Sequence, residues 1–84
     1  MAENRIEVFQ YLGYNGGFAR ERRLLWKAQI VNFKGERRNC DKNSWHGHPE
    51  KTHPLKDAEW WSGFLGWSIV DLGRVEGRDD SPKG

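Results

Sequence analysis

The chain has 84 residues, which is enough for one small domain and excludes large folds such as dinucleotide-binding domains, TIM barrels, kinases and P-loop enzymes. With 36% apolar and 31% charged residues and a mean hydropathy of −0.95, the composition taken alone leans towards disorder. Five Trp, four Phe and two Tyr residues favour a small folded core instead, because each aromatic side chain buries about 150–250 Å².

The net charge of +2 is unevenly distributed along the sequence. Residues 1–17 carry −1, residues 18–56 carry +6 from ten basic and four acidic side chains, and residues 57–84 carry −3. A basic middle segment between acidic ends indicates contact with a polyanion or with an acidic protein surface.

Three features of the sequence predict a soluble, cytoplasmic protein. Cys40 is the single cysteine, so no internal disulfide can form. The first residues lack the basic-then-apolar order of a signal peptide. The longest mainly apolar run, residues 60–70, is too short to cross about 30 Å of hydrocarbon, so no contact with a membrane is expected.

The first half of the chain carries strand patterns. Residues 5–12 mix β-branched and aromatic residues in a loose alternation and predict a strand. Residues 13–17, with the sequence GYNGG, predict a turn. Residues 18–33 fit either a helix or a strand. Their β-branched end, followed by a turn at Gly35, favours a strand over residues 23–33.

The second half of the chain carries a loop and a helix pattern. Residues 36–53 are polar and predict a loop. Residues 54–72 predict the longest helix, because Pro54 suits the first helical position and Gly73 suits the position after the last. The stripe expected to face the core contains Ala58, Trp61, Phe64, Leu65, Ser68, Ile69 and Leu72.

These elements predict an α+β fold, in which a short antiparallel β-hairpin or sheet packs on one C-terminal helix. An all-α fold is the alternative. The domain is predicted to span residues 1–73, and a disordered tail is predicted over residues 74–84. Gly63 and Gly66 lie on the side of the predicted helix away from the core, and each costs about 1 kcal/mol relative to alanine. Local packing, or the close approach of a partner, would explain them.

All three histidines and the cysteine lie within fourteen residues. Such a cluster suggests a metal site, since Zn²⁺ accepts one thiolate and three imidazoles and would staple a small domain. The spacing matches no standard zinc finger, and solvated histidines in a polar loop are the alternative, which we expect. The candidate ligands are Cys40, His46, His48 and His53.

The basic middle segment also contains aromatic residues. Arginine binds phosphate in a bidentate manner and aromatic rings stack on unpaired bases, so this mixture suits RNA or single-stranded DNA. A turn at Gly35 would bring Arg22 and Arg23 close to Arg37 and Arg38 at one end of a hairpin. An ordinary solvated surface is the alternative. The candidate contact residues are Arg20, Arg22, Arg23, Trp26, Lys27, Lys34, Arg37, Arg38, Trp45, Trp60 and Trp67.

The sequence gives little support for catalysis. Ser44 and Ser62 lack the Gly-x-Ser-x-Gly pattern of a nucleophile elbow. Asp57 and Glu59 would point to different faces of the predicted helix, so they cannot form an acid–base pair. We expect a protein that is not an enzyme.

Two segments resemble the helices of ribosome-modulation-factor-like small proteins. Residues 60–64, with the sequence WWSGF, follow a proline-containing loop, as in the second helix of that family. Residues 13–17 are similar to its glycine- and tyrosine-containing first helix. The resemblance implies contact with the ribosome or its RNA. The chain departs from the family in the longer spacer and in the Asp41, rather than proline, that follows Cys40.

Three hypotheses for function follow from the sequence. The first is a small non-enzymatic binding protein whose basic middle segment contacts RNA, the ribosome or another polyanion. The second is a protein–protein inhibitor or adaptor of the bacteriophage type, for example of a host defence or nucleic-acid-processing complex, with Trp60 and Trp67 as exposed anchors. The third is a zinc-stapled mini-domain.

Overall fold

Over the residues that the structure describes, the fold is α+β, with four strands and one helix. In this computed structural model, residues 3–14, 22–41 and 47–75 are described. The elements in chain order are β1 Arg5–Tyr14, β2 Arg22–Val31, β3 Arg37–Asn39, α1 Thr52–Leu65 and β4 Ile69–Arg74. The predicted fold class is confirmed.

The four strands form a mixed sheet in the order β3-β2-β1-β4. β2 pairs antiparallel with both β1 and β3, whereas β4 pairs parallel with β1. The predicted antiparallel pairing is present among β1, β2 and β3, but β4 adds a parallel strand that was not predicted. Because β4 follows α1, the helix is not the last described element, as the prediction had it. Parallel neighbours need a crossover connection, and a helix supplies it.

The helix packs on one face of the sheet. Its buried residues Pro54 and Ala58 face the sheet, and Ala58 joins Ile6, Val8, Ala28 and Cys40 in the main core cluster. Partly buried side chains surround this cluster, namely Trp26, Ile30, Leu55, Trp61, Trp67 and Ile69. A second cluster contains Phe9, Tyr11 and Leu25, with Val75 packed against it. β1 therefore lies between two apolar clusters, which explains why its alternation in the sequence is weak.

The predicted strand over residues 23–33 is confirmed by β2 as far as Val31, whereas Asn32 and Phe33 belong to the turn. The predicted turn at Gly35 is also present. Gly35 has a φ of 85°, a value that favours glycine, and its N–H donates to the Asn32 carbonyl at 2.9 Å. The Asn32 side-chain Oδ1 accepts hydrogen bonds from the N–H groups of Lys34 and Glu36. This turn fixes the register between β2 and β3.

The predicted helix over residues 54–72 is seven residues too long at its end. α1 stops at Leu65 because Gly66 adopts a φ of 72°, and the Gly66 N–H caps the helix by donating to the Ser62 carbonyl. The residues that follow form β4. Leu72 therefore lies on a strand at 38% exposure rather than on a buried helical stripe.

The helix buries part of the predicted stripe, since Ala58 is fully buried and Trp61 packs against the core, but Phe64 is not buried. The face centred on Pro54 and Ala58 contacts the sheet, which turns Phe64 away from the core and leaves it 69% exposed. Trp61 and Leu65, at the margin of that face, are partly buried. The prediction that Phe64 is a core residue was wrong.

Three predicted boundaries differ from the structure. The predicted loop over residues 36–53 contains β3 and the first two residues of α1. Gly13 and Tyr14, predicted as a turn, extend β1, and residues 15–17 lie outside the described part of the chain. Arg74 ends β4 and the Val75 N–H donates to the Gln10 carbonyl at 2.8 Å, so the ordered chain passes the predicted boundary at residue 73. Residues 76–84 lie outside the described residues.

Candidate functional site

The predicted cluster of four arginines is not assembled. Arg22 and Arg23 lie at the first end of β2, whereas Arg37 pairs in register with Val31 at the other end. Eight residues of extended strand separate these positions by about 26 Å. The prediction that the four arginines meet at one end of a hairpin was wrong, because β3 pairs with only the last residues of β2.

Several predicted basic residues are engaged within the protein. Arg37 donates to the buried carboxylate of Glu7 at 2.6 Å, and Arg5 donates to the other oxygen of that carboxylate at 2.8 Å. Lys27 lies over the Tyr11 ring at 5.4 Å, and Lys34 lies over the Phe33 ring at 5.8 Å. Because of these contacts, the basic side chains lie at separate positions and do not form one continuous positive surface. Arg23 and Arg38 are exposed, and Arg20 lies outside the described residues.

The four predicted tryptophan contacts have different environments. Trp26 is partly buried, and the Lys51 ammonium lies 4.9 Å from the centroid of its ring. Trp67 is also partly buried, and its carbonyl accepts a hydrogen bond from the Ser62 hydroxyl at 2.7 Å. The second hypothesis expects Trp60 and Trp67 to be exposed anchors. Trp60 is 62% exposed, but the prediction was wrong for Trp67, which packs against the main core cluster. Trp45 lies outside the described residues.

The candidate metal ligands are distributed over different environments. Cys40 is buried in the main core cluster, and burial together with the nearby Asp57 carboxylate raises the pKa of its thiol to about 12. His48 forms a β-bridge with Trp26, and its ring stacks on that of His53 at 5.3 Å. Within the described ranges no three His, Cys, Asp or Glu side chains are placed to hold a metal ion. His46 lies outside those ranges.

An exposed aromatic surface lies on the outer side of α1. The rings of Trp60 and Phe64, one helical turn apart, stack at 5.5 Å with an interplanar angle of 13°. Both are largely exposed, at 62% and 69%. Gly63 lies between them in the helix sequence, and a Cβ built on it would meet no atom of the described residues within 4 Å. We call Trp60, Gly63 and Phe64 the aromatic face.

No described residue explains Gly63 by packing against it. Its backbone is helical and its φ is not positive, so an L-residue would be accepted there. Glycine inside a helix costs about 1 kcal/mol relative to alanine. Local packing would have explained the glycine, but among residues 3–14, 22–41 and 47–75 no atom packs against it. The aromatic face therefore combines two exposed rings with a gap where another backbone can approach closely.

Trp61 attaches the aromatic face to the sheet. Its ring meets those of Trp60 and Phe64 edge-on at 4.9 Å and 5.9 Å, and its indole Nε1 donates to the Cys40 carbonyl at 2.9 Å. Cys40 follows β3, so Trp61 ties α1 to the segment of chain that follows this strand. The rings are therefore held in place before any partner binds, which reduces the entropy cost of binding.

A cleft lies between the end of β3 and the N-terminal half of α1. It is small, with a volume of about 10 Å³, which is about the space of one water molecule, and it has Asp41 on the strand side and Asp57 on the helix side. His48 lies 3.9 Å from the Asp41 carboxylate. Among the described residues, no side chain donates a hydrogen bond to Asp57. We call this cleft the β3 cleft.

Sequence reasoning identified Trp60 but missed Phe64 and the β3 cleft. The available signal for the exposed side of the helix was the pair of glycines at 63 and 66. Gly66 ends the helix, and Gly63 leaves the outer side of the helix open. The cleft depends on the register between β2 and β3, which no local pattern encodes. In the described part of the chain, no helix combines the length and apolar character needed to cross a bilayer. Comparisons with protein-family models, curated proteins and solved structures found no match.

Proposed function

We propose that this protein is a non-enzymatic binding module that recognises a protein partner through the aromatic face of α1. The observation that carries the proposal is the combination of two exposed, stacked rings with an interior glycine that the fold itself does not require. Trp is among the residue types that dominate binding energy at protein interfaces, and contiguous exposed apolar surface marks interaction sites.

The charges around the aromatic face favour a protein over a nucleic acid. α1 carries one basic residue, Lys56, and two acidic ones, Asp57 and Glu59, so its net charge is −1 with histidine neutral. A phosphate backbone needs a continuous positive surface, and phosphate contacts dominate the affinity for nucleic acids. The basic residues expected to supply that surface are split between the two ends of β2, and Arg37 is paired with Glu7.

An adaptor or inhibitor is the class of function that fits this surface. The rings are preorganised by Trp61, and α1 is held against the sheet by its buried face. A rigid helix with one exposed aromatic face acts by occupying a groove or a flat site on another protein. Such a protein needs no catalytic group.

The test is affinity capture from a lysate of the cells that express the protein, after nuclease treatment. The full chain serves as bait in three forms: wild type, Phe64→Ser and Phe33→Ser. Phe33 is the matched control because it is 60% exposed, similar to Phe64, but lies in the turn between β2 and β3. Both substitutions are at exposed positions, so each should change stability by less than about 0.5 kcal/mol.

We expect a protein that wild type and Phe33→Ser both retain and that Phe64→Ser loses. The captured protein is then purified, and its affinity for the three forms is measured directly. Equal binding by Phe64→Ser would contradict the proposal. Capture that disappears on nuclease treatment would instead support the polyanion hypothesis.

A further inference from the structure

We draw no further inference here: the strongest candidate, the exposed apolar surface patch that Leu12 of β1 forms with its cross-strand partner Leu24 of β2, carries none because nothing in the described part of the chain shows what covers it.

Discussion

Gly63→Ala should make the protein more stable, although it changes a residue of the aromatic face. The new methyl group would meet no atom within 4 Å, and the backbone at Gly63 is helical. The change therefore adds helix propensity without adding strain, and the expected gain is about 1 kcal/mol. For a domain of this size, that gain corresponds to a rise in Tm of about 4–8 °C.

Gly66→Ala is the matched control, three residues further along the chain. A Cβ at Gly66 would also meet nothing within 4 Å, but its φ of 72° is strained for alanine. Gly66→Ala should therefore destabilise the protein by about 1 kcal/mol. The two variants differ in backbone conformation and not in available space.

The assay is thermal and urea unfolding of the wild type and the two variants, followed by circular dichroism and Trp fluorescence. We expect the free energy of unfolding to rise for Gly63→Ala and to fall for Gly66→Ala. If Gly63→Ala lowers the free energy of unfolding as much as Gly66→Ala does, the space beside Gly63 is not open and the reasoning about the aromatic face is refuted.

Three further predictions concern the sheet, the core thiol and a surface ion pair. Arg37→Ala should lower the free energy of unfolding by about 1.5–3 kcal/mol, because it removes a hydrogen-bond donor from the buried Glu7. Arg38→Ala should change the free energy of unfolding by less than about 0.5 kcal/mol, and a denaturant titration that finds equal effects for the two variants would contradict this prediction. The pKa of the Cys40 thiol is raised from 9.0 to about 12, so the unfolded chain loses this proton first and stability should fall between pH 9 and 12. Cys40→Ala should reduce that slope, and an unchanged slope would argue against the burial of the thiol. Lys51 holds the pKa of Asp71 below its usual 3.8, so the stabilising contribution of Asp71 is present above that pH and is lost as the pH falls through the lower folded-state pKa. Unfolding midpoints of wild type and Asp71→Asn should therefore converge as the solution is acidified, and a constant difference would refute this.

The strands of the first half were predictable because their signals are local. Residues 5–12 and 23–33 are rich in β-branched and aromatic residues, and the turn at Gly35 is encoded by Asn32 and the glycine itself. The end of the helix was harder to predict. Gly66 could be an interior glycine or the residue that ends the helix, and its φ of 72° decides between these.

The candidate site was only partly predictable, for a different physical reason. The predicted apolar stripe of the helix is wide, and the sequence does not show which of its margins the sheet covers. The small side chain of Ala58 allows close packing on Val8 and Ala28, which turns Phe64 outwards. The separation of Arg22 and Arg23 from Arg37 and Arg38 follows from strand register, which depends on pairing between distant parts of the chain.

The most direct test of the proposed function is the affinity of Gly63→Ala for the protein captured through the aromatic face. Isothermal titration of the purified partner compares this variant with wild type, and Phe33→Ser serves as the control. The variant should be more stable than wild type yet bind about tenfold more weakly, because the added methyl group occupies the space that the partner's backbone approaches. Binding of Gly63→Ala that equals or exceeds that of wild type would contradict the claim that a partner docks on the aromatic face.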